Sequence, residues 1–255
     1  MLIIKNYLFR SEKMKKNDFY EREEVIHEIV EARRSEICYN LMKRLITKTC
    51  EGRKKKILDI GCGDGSFIVK FKEDCEAFGL DISGKAVEVA RKAGINAYKV
   101  DISCEKTPFE DESFDIIYMG DIIEHLVNPD FATKEVLRIT KPNGFLILST
   151  PNLASWINRL LLLFGMQPLF SEVSTVKNFG RPGTQEKKGS FPVDHLRLYT
   201  HRALKEFLEY YHFKIVNIQG APYGSFPKVL NVIDKFFSKI PSVSSILIVT
   251  SRKTQ

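Results

Sequence analysis

A doubly wound α/β fold with a mostly parallel sheet is what this 255-residue chain predicts, on three observations. Short apolar runs alternate with segments of helical periodicity from Lys54 onward. The runs lack strict in-and-out alternation, as parallel strands do when both faces of a sheet are covered. The run "KKKILDIG" leads straight into Gly61, Gly63 and Gly65, where a buried strand ends.

The elements follow in order. From Asp18 to about Lys48, Phe19, Ile26, Ile29, Val30, Ile37, Leu41 and Leu45 recur at steps of three and four, which predicts a helix capped by Asn17 or Asp18. "KILDIG" reads as a strand and "DGSFIVKFKED" as helix-like. "AFGLDIS" is the second strand, followed by the helix "SGKAVEVARKAG" with Ser83 as its cap and Gly94 at its end. "INAYKVDIS" and "SFDIIYMG" are strands, "NPDFATKEVLRIT" a helix, and "GFLILSTPN" a strand after the turn "KPNG". Regularity fails between Pro151 and Pro192, where an apolar helical stretch around Trp156 precedes a polar, glycine-containing run. A long irregular insertion after a strand reads as a lid. A helix "THRALKEFLEYYH", a strand "FKIVNIQG", an amphipathic helix within "SFPKVLNVIDKFFSKIP" and a strand "SSILIVTSRK" close the chain. The expected organisation is a basic helical extension over 1–53 and one domain over 54–255, with 151–195 as the inserted lid. Met14 reads as a plausible start, with residues 1–13 an extension before it.

Composition narrows the class. The cysteines are Cys38, Cys50, Cys62, Cys75 and Cys104, with no CxxC pair, which argues against a zinc or disulfide framework and for a reducing cytoplasm. The first residues are broken by Lys5 and Arg10 and do not read as a secretory signal, and no apolar run reaches membrane-spanning length. Residues 1–56 hold 15 Lys and Arg against 9 Asp and Glu, most of the net charge of +7. The first reading of that charge is a solvated helix face, ahead of an RNA- or membrane-binding patch.

The glycine loop calls for a ligand that approaches the backbone closely. No Lys-Ser or Lys-Thr follows it, which excludes a P-loop, and Ser66 stands where a dinucleotide loop needs Gly or Ala. The pattern is GxGxG with Asp59 two residues before it, and an acid there repels pyrophosphate. S-adenosylmethionine suits the site, since it carries an ammonium and a sulfonium and no phosphate. Asp81, twenty residues after Gly61, is placed for ribose hydroxyls, and Asp101 for the adenine amino group with the Ile102 backbone facing the ring. Taken singly, each acid has an ordinary alternative as a loop, cap or strand-end residue; the spaced set carries the reading.

"ILDIGCGDGSF", "GLDIS", "VDIS", "SFDIIYMGDIIEHL" and "LRITKPNGFLILSTPN" resemble, in order, the motifs of class I S-adenosylmethionine-dependent methyltransferases. The resemblance covers about Lys54 to Asn152, and Asp194 to Arg252 more loosely. "EHL", then "KPNGFLILSTPN", then "DHLRLYTHRALKEFLEYYHF" is similar to the small-molecule (methyltransferase type 11) branch, which acts on quinone precursors, other lipids and sugars. It implies a Rossmann-like seven-stranded sheet whose last strand, "SSILIVTSRK", is antiparallel. It implies a cofactor set of Asp59, Gly61, Cys62, Gly63, Asp81, Ile82, Asp101, Ile102 and Met119.

Methyl transfer from a sulfonium is an in-line displacement, so positioning supplies most of the catalysis, with a base where the acceptor is a hydroxyl or an acidic carbon. Glu124 and His125, after the fourth strand, are the candidates, with a loop-orienting role as the alternative. Trp156, His195 and Tyr199 are the candidate substrate residues. "DIIEH" also resembles the ExxEH of small-RNA 3′-end methyltransferases, where acids and histidines hold a metal, which here would take Asp121, Glu124, His125 and His195. The first acid is Asp rather than Glu, and EH is common in relatives without metal, so no metal is expected. "MGDI" replaces the Pro-Pro-aromatic turn of base amino-methyltransferases, and no cysteine follows the fourth or fifth strand to serve cytosine-C5 chemistry. The expected partner is a small hydrophobic or lipid-linked acceptor, with peripheral membrane contact open and nucleic acid not expected. The rivals are a metal-assisted RNA 2′-O-methyltransferase and a non-catalytic binding protein for the same cofactor.

Overall fold

The computed structural model describes residues 27–48, 54–181, 192 and 194–254. The expected helix start near Asp18 and the start at Met14 lie outside them. The elements are α1 (His27–Lys48), β1 (Lys55–Ile60), β2 (Cys75–Asp81), α2 (Gly84–Lys92), β3 (Asn96–Lys99), β4 (Phe114–Gly120), α3 (Pro129–Ile139), β5 (Thr140–Pro151), α4 (Trp156–Leu163), α5 (His201–Tyr210), β6 (Phe213–Ala221), α6 (Lys228–Phe237) and β7 (Ile246–Lys253). The seven strands are ordered β3-β2-β1-β4-β5-β7-β6. β1, β2, β3, β4 and β5 pair in parallel, while β7 runs antiparallel to both neighbours.

Side-chain caps start four helices, of which the sequence reading names Ser83. Ser83, Asn128, Ser155 and Thr200 accept from Ala86, Phe131, Asn158 and Ala203 backbone N–H groups, which satisfies donors that the first turn leaves unpaired. The crossover from β1 to β2 departs from expectation. It forms one 3₁₀ turn, Ile68–Phe71, whose capping position is Phe67, a side chain that accepts nothing.

Strand alternation sorts the core onto two faces. Leu58, Ile60, Ile117, Met119, Leu146 and Leu148 meet α3 and α5 through residues such as Val136, Leu204 and Leu208. Ile57, Ile116, Tyr118, Ile147 and Ile248 meet α1 and α2 through Cys38, Met42, Val87 and Ala90. Each fully buried Leu or Ile contributes roughly 1.5–3 kcal/mol.

The amphipathic helix α6 leaves much of its apolar surface exposed. Val229, Val232 and Phe236 are exposed, and its buried residue is Asp234. Asp234 accepts from Trp156 Nε1 (2.9 Å), the Tyr223 backbone N–H (2.6 Å) and Ser245 Oγ (2.5 Å). One carboxylate therefore ties α6 to α4, to the start of β7 and to the loop after β6. Asp234→Ala leaves three donors without an acceptor and is expected to destabilise the fold by about 3 kcal/mol. That corresponds to a melting temperature lower by roughly 6–12 °C for a domain of this size, read by thermal denaturation.

Candidate active site

A cavity of about 750 Å³ opens at the carboxyl end of β1. Asp59, Gly61, Cys62 and Gly63 line it from β1 and its loop, Tyr118 and Gly120 from β4, Arg34 and Tyr39 from α1, and Phe67 from the crossover. Gly61 and Gly63 both take positive φ, +77° and +53°. A Cβ on Gly61 would strike Ile122 Cδ1 at 2.1 Å, whereas one on Gly63 meets nothing within 4 Å. The first glycine is required by packing; the second faces open space.

The two acids beside the loop differ in character. Asp59 is 3% exposed. Burial pushes its carboxyl well above the usual carboxylate range, and the Asp81 charge pushes the same way. Asp81 accepts from Gly63 N–H at 2.9 Å and from Ser83 N–H at 2.7 Å, one on each oxygen. A carboxylate has about four acceptor directions, so these bonds fix Asp81 and leave capacity for two hydroxyls. Asp101 lies two residues beyond β3 and accepts from Ser103 N–H at 3.0 Å. Ile82 is exposed and Ile102 buried. Asp81, Ile82, Asp101 and Ile102 sit at the neighbouring strand ends and do not line the cavity.

Met119 is not brought to the cavity. It points into the α3/α5 core, while its neighbours Tyr118 and Gly120 line the wall. A one-residue offset on a strand exchanges faces. Arg34, Tyr39, Phe67 and Tyr118 are the wall residues that the sequence reading does not identify. Arg34 is 9% exposed and pairs with Asp121, which also accepts from Ser149 Oγ. Arg34 Nε has no hydrogen-bond partner among the described residues. A signal for Arg34 exists, since it precedes Cys38, Met42 and Ile46 at steps of four, all buried. The cavity thus offers Asp59, the Arg34 guanidinium and a glycine backed by open space, with Asp81 bonded to that glycine from the neighbouring strand end, a set that fits an amino-acid nucleoside with a cationic centre.

A second group lies at the 3₁₀ turn after β4, Ile123–His125. Glu124 is wholly buried and accepts from Thr150 Oγ1 at 3.0 Å. Burial pushes its carboxyl up to about 7. The segment after the insertion is stitched onto this turn. Leu196 and Arg197 N–H groups donate to the Glu124 carbonyl, and the Arg197 guanidinium donates to the Leu126 and Val127 carbonyls. His195 is thereby set beside His125, ring centroids 4.7 Å apart.

From this histidine pair an aromatic chain runs to α4. His195 meets Phe170, Phe170 meets Tyr223, Tyr223 meets Phe226, and Phe226 meets Trp156 at centroid distances of 5.0–6.1 Å. Trp156 also stacks on Phe237 at 5.5 Å. Tyr199 is not part of this surface. It is buried in the core against Phe207, and burial pushes its hydroxyl up to about 12.

Residues 58–148 match the family described as "Methyltransferase domain". A ubiquinone/menaquinone biosynthesis C-methyltransferase of Haemophilus ducreyi is 28% identical over 73% of this chain and 75% of its own. A ubiquinone biosynthesis O-methyltransferase of Photobacterium profundum is 31% identical over 38% of this chain, and the match spans 44% of that relative's length. A crystal structure of a methyltransferase of Thermotoga maritima, described as a possible histamine N-methyltransferase, superposes with a TM-score of 0.56 over 94% of this chain and 96% of that one, at 20% identity. That likeness carries the fold.

Proposed function

We propose that this chain, whose residues 58–148 match a methyltransferase domain, is a class I S-adenosylmethionine-dependent methyltransferase that methylates a small hydrophobic or lipid-linked acceptor held beneath residues 151–195. Bound S-adenosylmethionine supplies an electrophilic methyl group on a sulfonium. Asp59 is assigned to the ammonium of its amino-acid tail and Arg34 to the carboxylate, matched by charge. Asp81 is assigned to the ribose hydroxyls, Asp101 with the Ile102 backbone to the adenine, and Gly61 and Gly63 to close backbone approach, with Cys62 and Ile82 contributing backbone at the same rim. Glu124 and His125 orient the acceptor and take its proton where the acceptor atom bears one. Residues 54–255 form the catalytic domain in this reading, and 1–53 the basic extension that brings Arg34.

The single observation that supports the acceptor class is the aromatic chain from His195 through Phe170, Tyr223 and Phe226 to Trp156. It gives an apolar wall beside the proposed proton-accepting group, and Trp156 belongs to it even though its N–H is held by Asp234. Leu162, Leu163 and Phe164 at the end of α4, and Val229, Val232 and Phe236 on α6, are exposed nearby in sequence to Arg159, Lys228 and Lys235. Such apolar faces with basic neighbours suit peripheral contact with an anionic bilayer. No helix among the described residues is long and apolar enough to cross a membrane, and action from the cytoplasm is proposed.

The test is incubation of the protein with methyl-labelled S-adenosylmethionine and host extract, followed by separation into lipid, soluble-metabolite and RNA fractions. Label in the lipid fraction is expected. Label confined to water-soluble metabolites overturns the acceptor class, and label in RNA replaces it.

A further inference from the structure

We propose that Glu124, His125 and His195 form a binding site for a divalent transition metal. One nitrogen from each histidine and one Glu124 oxygen lie within 4.8 Å of one another. Ligands of a single Zn²⁺ at about 2.1 Å stand roughly 3–3.5 Å apart, so small side-chain rotations gather all three. Glu124 Oε1 is buried and has no hydrogen-bond partner among the described residues. Leaving a buried acceptor unsatisfied costs about 1–3 kcal/mol, a cost that a bound cation removes.

Each histidine has a backbone carbonyl at Nδ1. His125 Nδ1 lies 3.3 Å from the Asp194 carbonyl oxygen, and His195 Nδ1 lies 3.0 Å from that of Phe170. A carbonyl oxygen only accepts, so in the neutral ring each Nδ1 carries the hydrogen and the lone pair resides on Nε2. A backbone carbonyl at one imidazole nitrogen is how metal-binding histidines are held. Both carbonyls come from non-glycine residues with positive φ, Phe170 at +64° and Asp194 at +56°, conformations that cost roughly 1–3 kcal/mol each. Asp121, offered by the sequence pattern as a further ligand, is turned away to Arg34 and Ser149. Two imidazoles and one carboxylate suit Zn²⁺, Mn²⁺, Fe²⁺ or Co²⁺ over the all-oxygen preferences of Mg²⁺ and Ca²⁺. Three protein ligands leave coordination positions for water or an acceptor oxygen. The proposal reverses the expectation of no metal, and with the metal bound Glu124 and His125 act as ligands in place of taking the acceptor's proton.

Tag-free full-length protein, stripped with chelator and titrated with Co²⁺, reports the site through visible d–d absorption. One equivalent is expected, without the near-ultraviolet charge-transfer band of a cysteine thiolate. His125→Ala and His195→Ala should each weaken binding at least about tenfold, and Glu124→Gln should weaken it as well, with far-ultraviolet circular dichroism unchanged. Failure of the folded wild-type protein to bind Co²⁺ overturns the site. So does affinity unchanged in both histidine variants, or a thiolate band in the wild-type spectrum.

Discussion

Gly63→Val is expected to lower affinity for S-adenosylmethionine by roughly a hundredfold or more, the equivalent of about 3 kcal/mol, while the protein still folds. Gly63 sits at φ +53°, and a Cβ there meets no atom within 4 Å. The fold therefore loses only the backbone strain of a left-handed Val, about 1–2 kcal/mol, and the new side chain fills space assigned to the ligand. Gly61 is the contrasting control, since a Cβ there strikes the Ile122 side chain at positive φ and Gly61→Val should lower stability as well as binding. Asp81→Ala should match Gly63→Val in binding. It removes the acceptor for Gly63 and Ser83 N–H groups together with the proposed ribose acceptor, and hydrogen bonds to charged groups are worth about 1.5–3 kcal/mol each. Calorimetry and melting curves separate the two effects. Wild-type affinity in both Gly63→Val and Asp81→Ala would sink the assignment of this loop.

The contrast between these glycines marks where sequence reading works and where it stops. GxGxG places a close backbone approach at the end of β1, because only residues without Cβ combine positive φ with tight packing. It does not say which glycine answers to Ile122 and which to open space, since Ile122 lies 61 residues after Gly61 in sequence. The strands were legible because burial on both faces demands continuous apolar runs, and the start of α2 because Ser83 is a cap former. The crossover after β1 misled because "SFIVKF" has apolar spacing that serves a 3₁₀ turn as well as an α-helix, and its capping position is Phe67. Met119 was displaced from Tyr118 by one residue, which on a strand means the opposite face. Arg34 was hidden among the charges of α1, although its four-residue spacing from Cys38, Met42 and Ile46 places it on the buried stripe. His195 and His125 are seventy residues apart, and bonds from Leu196 and Arg197 to the turn at Glu124–Val127 bring them together.

Binding of S-adenosylmethionine is expected to release a proton from Asp59. Burial, reinforced by Asp81, raises the Asp59 carboxyl well above its ordinary range in the ligand-free fold. Below that raised value the carboxyl is neutral, and a cationic amino-acid tail beside it favours the ionised form. Affinity should therefore climb with pH, by up to about tenfold per pH unit, until it levels off above the ligand-free pKa. Stability of the ligand-free protein takes the opposite sign. A raised carboxyl pKa favours the folded state below the unfolded pKa, and that contribution is lost as pH rises through the folded value. Rising pH thus weakens the ligand-free fold on Asp59's account while strengthening the complex. Calorimetry in two buffers of different ionisation enthalpy counts the proton directly. In Asp59→Asn the proton count should fall to zero and the pH dependence flatten, with affinity reduced by roughly ten- to a hundredfold through loss of a charge-assisted contact. An unchanged proton count in Asp59→Asn would place the titrating group elsewhere and remove Asp59 from the ammonium site.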